Sequence, residues 1–562
     1  MWVKILLLFF AFSFLFRTDL SFDQDLGRHL KIGEIILQVG SIPKTNLFSY
    51  TNPDFKYVNT HWLFGVMAYF FSQAFGLQAL LILKMLVILL SVFLVLKTVP
   101  KEKAFFLLPL GFIFFHVLRE RLELRPEIFS FLFTALTLYI LDRFSKSRTK
   151  LIFLLPLIQL LWINTHIYFF VGLLLQGIYI LYFGIQYLRF HPKGVNIKLL
   201  VFIFLLSGGV SFINPNGLTG LLYPLNVTSN YGYSIVENQT MFLLESINFA
   251  DRNFLFVKLS IGLASFILLL GLLKKKFDVK NILLASLGVS LALLNVRSFP
   301  YLVFLTLPAI IQMIGPIKIS KYLFLGFVVL LLGESYLYLS GNYYRYTDSP
   351  YRPGLKLIES AKEAVDFALD NNLPQPFYNN FDIGSYLIYR GFPVYKVFVD
   401  GRPEAYPKKF FQEVYIPSQS DFSKFKALEQ NLTLETVIFS HTDQTPWGRS
   451  FLQSLSKDPT WKLAYIDDYM VVYVKETVLE DQRLYEITPE KITTEAYSFD
   501  NHLSYIRMGM FLLNIGQTEN GRKFIEKALA VFPGSPTANL LMAQINPFVQ
   551  KYQQNSKNLI FW

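Results

Sequence analysis

The chain has 562 residues, 53% of them apolar, 17% aromatic and 16% charged, a balance that exceeds what a soluble globular protein buries. Its net charge of +12 lies in short clusters between apolar runs rather than along one face, which argues against nucleic acid as a partner. There is no cysteine, so disulfides, thiolate metal sites and cysteine nucleophiles are excluded.

Residues 1–16 form an apolar segment with one lysine, Lys4, followed by Arg17 and Asp19. Ala11 and Ser13 are its only small-residue candidates for cleavage, so it reads as an uncleaved signal anchor rather than a signal peptide. Further apolar runs lie at 62–97, 104–118, 127–142, 151–165, 167–188, 199–213, 255–273, 281–296, 299–315 and 322–340. With the first segment they predict an α-helical polytopic membrane domain over 1–340 with about 11 spans. Alternate loops carry the basic residues: Lys97, Lys101 and Lys103; Arg143, Lys146, Arg148 and Lys150; Arg189, Lys193 and Lys198; Lys274, Lys275, Lys276 and Lys280; Lys318 and Lys321. By the positive-inside rule these loops and the N-terminus are cytoplasmic. The loops 17–61 and 214–252, and everything beyond 340, then face outward. Such long loops between spans generally have a functional reason, so the outer face is the expected working face.

In the first outer loop, Ser21-Phe22-Asp23-Gln24 has the spacing of a capping box and predicts a helix start. Leu26, Leu30, Gly33 and Leu37 recur at helical spacing, with Asp25, Arg28 and His29 on a neighbouring face, the pattern of an amphipathic helix on the membrane surface. Taken alone, Asp23 and Asp25 only complement the helix dipole, worth about 0.3–1 kcal/mol. Lys84 lies inside a span, where it can snorkel outward. Arg119, Arg121 and Arg125 crowd one short outer loop; they either hold an anion or pair locally with Glu120, Glu123 and Glu127. Arg297 sits in a minimal turn between two spans, where it is costly without a partner or an aqueous cavity. His61 and His166 are read either as substrate or metal contacts or as hydrogen-bonded interfacial residues, and no His-x-x-x-His spacing favours metal.

Beyond 340 the composition becomes globular. Over 341–480 a helix near 355–369, strands near 376–378, 396–400 and 436–439, and a hairpin at 462–465 and 470–474 predict an α/β domain. Asp400-Gly401-Arg402 follows a strand and reads as a turn before it reads as a ligand loop. A polar linker at 481–500 precedes a helical tail, 501–562, in which Gly521, Ala528 and Pro533 resemble one tetratricopeptide repeat.

The first outer loop, read as Asp23-Gln24-Asp25, His29-Leu30, Gly33-Glu34-Ile35-Ile36, Pro43 to Thr51 and Trp62-Leu63, resembles that of a bacterial branch of the GT-C glycosyltransferase superfamily. The resemblance continues through Arg125-Pro126-Glu127, Trp162-Ile163-Asn164-Thr165-His166, Asn214-Pro215-Asn216-Gly217, Arg297 and Val399-Asp400-Gly401-Arg402. Ile167, where glycine is common, and Gly27-Arg28, where an aromatic pair is frequent, depart from the pattern.

The resemblance implies a multi-pass protein of the bacterial cytoplasmic membrane with an extracytoplasmic C-terminal domain. It implies transfer of a sugar from a polyprenyl-phosphate-linked donor to a glycan, lipid or protein acceptor. Such a displacement needs a carboxylate to take the acceptor proton and cations to receive the leaving phosphate. Asp25, which shares a helical face with His29, is preferred as base over Asp23, nearer the cap. His29, His61, Arg119, Arg121, Arg125, Asn164, His166 and Arg297 are the expected substrate-binding residues. Some GT-C enzymes use a divalent cation and others do not, and the sequence leaves both open. Two other readings stand beside the enzyme. One is a non-catalytic scaffold presenting the outer domain; the other is a lipid or solute transporter, which the lack of mid-membrane ionisable groups and inverted repeats disfavours.

Overall fold

The computed structural model describes residues 1–545 apart from 120, 148, 191–195, 227–230, 248–252, 274–277 and 316–319, with the backbone alone at 189 and 190. Glu120, several of the basic loop residues and the last part of the tail therefore lie outside the described residues.

The N-terminal part is a bundle of apolar helices, beginning with α1 (Trp2–Leu15), α2 (Gly27–Val39), α3 (Trp62–Phe75), α4 (Ala79–Thr98), α5 (Leu107–Arg119), α6 (Glu127–Ser147) and α7 (Leu155–Thr165). Six helices are long and apolar enough to cross a membrane: Ala79–Thr98, Glu127–Ser147, Ile167–Leu188, Asn253–Leu273, Val296–Met313 and Lys321–Leu339. Trp2–Leu15, Lys150–Thr165, Ile197–Val210 and Val279–Leu294 are shorter apolar helices of the same bundle. This is a multi-pass membrane protein.

The apolar run 62–97 is two helices and not one. At about 1.5 Å per residue a single helix over that run would far exceed the ~30 Å hydrocarbon core. The break falls at Gly76, whose φ of +86° suits only glycine without strain. Helix α3 packs against α2 so closely that a Cβ on Gly33 would lie 2.1 Å from the carbonyl oxygen of Gly65. At the start of α3, Trp62 Nε1 donates to Asn164 Oδ1 (3.0 Å); beyond its end, Gln78 Oε1 accepts from Leu357 N (2.9 Å). Both ends of α3 thus lie on the side of the C-terminal domain, and the first long loop runs to 78 rather than 61.

The expected capping box does not form. Ser21 Oγ donates instead to Asp19 Oδ1 (2.5 Å), residues Phe22–Leu26 wind as a π-helical turn, and α2 begins at Gly27. The buried Asp19 carboxylate takes the hydroxyl that the helix would have used.

Residues 341–545 form a head on the bundle. Its sheet has the order β1-β2-β4-β3, with β1 (Phe377–Asn379) parallel to β2 (Thr436–Ser440), and β4 (Met470–Lys475) antiparallel to both β2 and β3 (Trp461–Ile466). Every residue of β1 and β2 is buried, since helices cover both faces. The strand expected at 396–400 is not one. Its hydrogen bonds go to the first loop, with Val397 N donating to Phe48 O (2.9 Å) and Tyr50 N to Val397 O (3.2 Å). Further ties are Thr18 N to Arg352 O (2.8 Å), Ile358 N to Asp19 O (2.8 Å) and Arg28 N to Ser385 Oγ (2.8 Å). The helical tail joins the same core: Phe511 lies 5.0 Å from the His441 ring and Arg507 pairs with Asp468 at 2.5 Å. Head and first loop are in this way one packed surface over the bundle.

Candidate active site

Where the head meets the bundle, the π-turn Phe22–Leu26 and the start of α2 present Asp25 to a group of arginines. Asp25 Oδ1 accepts from Arg28 (2.6 Å), and Oδ2 lies 3.0 Å from Arg125 Nε. Burial pushes the Asp25 carboxyl up, but Arg125 and Arg28 outweigh it and hold the group below the usual carboxylate range. The head reaches this point through Gly401, where a Cβ would meet the carbonyl oxygen of Gln24 at 2.6 Å. Only a glycine lets the 400–402 turn lie on the helix that carries Asp25.

Asp23 points elsewhere. Its Oδ2 accepts from Ser360 N (2.8 Å), its Oδ1 is buried without a hydrogen-bond partner, and burial pushes the carboxyl up to about 7. A carboxyl raised by folding holds its proton in the native state after the unfolded chain has lost it, so stability falls as pH rises from about 4 to about 7. Asp23→Asn is expected to remove that fall: thermal midpoints in detergent should match wild type near pH 4 and exceed it near pH 8. Equal midpoints at both pH values would refute this account of Asp23.

Arg121 and Arg125 both belong to the site, joined by Arg297 from a distant turn. Arg121 pairs with Glu127 (2.9 Å) and Glu237 (2.6 Å). Arg125 pairs with Glu237 (2.6 Å) and Glu123 (3.1 Å), and Arg297 with Glu237 (3.1 Å). The local pairing read from the sequence is present at Glu123 and Glu127. Glu237, however, is the carboxylate on which all three guanidinium groups converge, and only its place in a long loop marked it beforehand. Although burial opposes it, Arg121, Arg125 and Arg297 hold its carboxyl well below the ordinary range.

Arg119 is not part of the group. It hydrogen-bonds Tyr338 Oη and Asn253 Oδ1, both at 2.6 Å, and lies 3.9 Å from Glu334. Glu334 also meets His116 (2.8 Å), so this network fastens the peripheral helix Lys321–Leu339 to α5. Lys84 reaches the first loop but not solvent: it ends in a buried ion pair with Asp19 at 2.8 Å. Asn164 is occupied by Trp62 and by the carbonyls of Leu160 and Ile213 (both 2.9 Å), which orients the loop rather than offering a free amide.

The histidines form a column of rings beside the arginines. The His29 and His61 rings lie 5.8 Å apart, those of His61 and His166 5.4 Å, and His166 stacks on Tyr168 at 5.3 Å. His166 Nδ1 and Trp162 Nε1 both meet Ser130 Oγ at 2.7 Å. Burial, aided by neighbouring cations, lowers all three, His61 to about 3, so the column is neutral. Asp382 of the head borders the site unanticipated; burial and then Asp443 and Asp25 push it up to about 7. Its loop packs on the turn bearing Asp25, and nothing local in the sequence signals this. Among the described residues no group of three or more His, Asp or Glu is placed to hold a metal ion, and both Asp25 oxygens face guanidinium groups.

No protein-family model and no curated protein sequence matches the chain. A solved structure does: the archaeal oligosaccharyltransferase AglB from Archaeoglobus fulgidus, in complex with an inhibitory peptide and a dolichol-phosphate. It superimposes over 100% of this chain and 87% of its own at 10% identity, with a TM-score of 0.52. The chain has the fold of that structure. ArnT from Cupriavidus metallidurans bound to undecaprenyl phosphate matches over 84% of this chain and 96% of its own at 13% identity, with a TM-score of 0.36, too low to add to the fold. The GT-C expectation drawn from the first loop thus holds at the level of fold. In this fold the acidic turn, the arginines and the ring column all lie between the bundle and the head.

Proposed function

We propose that the protein is a membrane glycosyltransferase that moves a sugar from a polyprenyl-phosphate-linked donor to an acceptor hydroxyl at the outer face of a bacterial cytoplasmic membrane. The observation that carries this reading is one carboxylate, Asp25, paired with Arg28 and Arg125 at the rim of an apolar bundle, where Arg125 also joins Arg121 and Arg297 around Glu237. Asp25 takes the proton of the acceptor hydroxyl as its oxygen attacks the anomeric carbon. The bond from that carbon to the phosphate oxygen breaks, and its electron pair leaves on the phosphate beside the arginines. His29, His61 and His166 supply an uncharged wall of rings for the sugar, which neither competes for the phosphate nor repels it. The dolichol-phosphate held by the AglB structure is a lipid phosphate of the class this reading requires.

The test is transfer by the purified full-length protein from a panel of radiolabelled polyprenyl-phosphate sugars to membrane glycans, lipids and peptides. At least one donor is expected to be consumed, and Arg121→Gln to raise its KM by about tenfold, the loss of one charged hydrogen bond. If no donor is turned over or bound, the scaffold reading, with the head as a partner surface, replaces this one.

A further inference from the structure

The three-arginine cluster is already filled by the chain itself. Glu237 sits in the short 3-10 turn Val236–Asn238 of the second long loop, and its Oε1 lies 2.6 Å from both Arg121 and Arg125 while its Oε2 lies 3.1 Å from Arg297. Three guanidinium groups on the two oxygens of one carboxylate form an anion site, since each fork presents paired N–H donors to a planar or tetrahedral oxyanion. The other carboxylates of the network are differently held. Glu127 opens α6, Glu123 is bonded by Tyr351 Oη (2.6 Å), and Asp25 faces Arg28, whereas Glu237 hangs from the loop alone.

The ion pairs of this network close on themselves. Among the described residues Arg28, Arg121, Arg125 and Arg297 face Asp25, Glu123, Glu127 and Glu237, four charges against four, while the bordering carboxyls of Asp382 and Glu404 are both pushed up by burial. Removing Glu237 leaves one positive charge uncompensated, the complement of a ligand carrying one negative charge. A phosphodiester carries one; a diphosphate diester carries two and would leave the buried network negative. The balance also survives the reaction. As the phosphodiester becomes a phosphate monoester its charge grows by one, and the proton that Asp25 accepts removes one.

We infer that Glu237 is a tethered stand-in for the donor phosphate, that the donor must displace it from Arg121, Arg125 and Arg297, and that the site is matched to a singly charged lipid phosphodiester rather than to a lipid diphosphate. This rests on the donor reading above and adds to it the charge of the donor and the residue that guards its site. Loop 231–240 is anchored at Tyr233, which packs on Phe381 (4.5 Å), Phe411 (5.3 Å), Tyr415 (6.0 Å) and Trp447 (6.1 Å), and at Gln239, whose carbonyl accepts from Val296 N (3.0 Å), so the displacement is confined to the turn between them that carries Glu237.

The experiment uses the full-length protein in detergent and two synthetic probes, polyprenyl methyl phosphate and the corresponding diphosphate diester, polyprenyl methyl diphosphate. Wild type is expected to prefer the phosphodiester, and Glu237→Gln to bind it about tenfold more tightly because the internal competitor is gone. Equal or weaker binding by Glu237→Gln would overturn the stand-in role and leave the donor reading intact. Tighter binding of the diphosphate would overturn the charge assignment. Failure of both proteins to bind either lipid would overturn the donor reading together with this inference. Should Glu237→Gln not fold, the native chain, which has no cysteine, takes a fluorophore at Ser234→Cys on the exposed face of the loop. Polyprenyl methyl phosphate is expected to lower the anisotropy of that label as the loop is released; an unchanged signal at saturating lipid overturns the displacement. Dimethyl phosphate, the same headgroup without its lipid, should act only at far higher concentration, and equal potency would reassign the site to a free phosphodiester.

Discussion

Asp25→Asn is expected to lower sugar transfer by about 10²–10⁴-fold, the usual worth of a positioned general base. Asparagine keeps the size of the side chain and its one oxygen can still accept from Arg28, while Arg125 keeps Glu123 and Glu237, so donor binding should change little. The loss should appear in kcat and not in KM. Asp23→Asn is the matched control: Asp23 faces Ser360 N and not the arginines, and its variant is expected to stay within a few-fold of wild type. The pH profile follows from the environment of the base. Because Arg125 and Arg28 hold Asp25 below the ordinary carboxylate range against the effect of burial, the acid limb of the rate should lie below that range, leaving turnover flat through neutrality. A fully active Asp25→Asn, or a limb near pH 7 that vanishes in Asp23→Asn, would move the base to Asp23.

The second large effect is structural. Lys84→Met is expected to destabilise the protein by about 3–5 kcal/mol, because it leaves the buried Asp19 carboxylate without its counter-charge. Both side chains are 1% exposed, and Asp19 also accepts from Ser21 N and Leu124 N (both 2.9 Å), so this one carboxylate ties the first loop, α4 and the arginine-bearing loop together. The double variant Asp19→Asn with Lys84→Met removes both charges and should recover a large part of the loss. Thermal unfolding in detergent at neutral pH checks both. Unaltered stability with lost turnover in Lys84→Met would instead place the lysine in the chemistry.

The comparison of sequence and structure turns on the range of the interactions. The span pattern, the amphipathic α2 and the hairpin β3–β4 follow periods of a few residues and are legible wherever one face is apolar. The division of 62–97 was also legible in principle, through its length and Gly76. Gly33 and Gly401 stand in two of the motifs that carry the resemblance, and the structure gives each a steric reason in a backbone carbonyl that a Cβ would strike. Arg119 shows the limit. It shares its loop with Arg121 and Arg125, yet lies on the face of α5 that meets Asn253 and Tyr338, so sequence proximity placed it in the wrong group.

The sequence by itself determined the solvent of each segment, the class of fold and the charged residues that had to find partners, because hydropathy and helical period act locally. Only the tertiary structure decided which partner each charge found. Glu237 and Arg125 lie 112 positions apart, Lys84 and Asp19 65, and such pairs form because a buried charge is stable only beside its opposite, wherever in the chain that opposite stands.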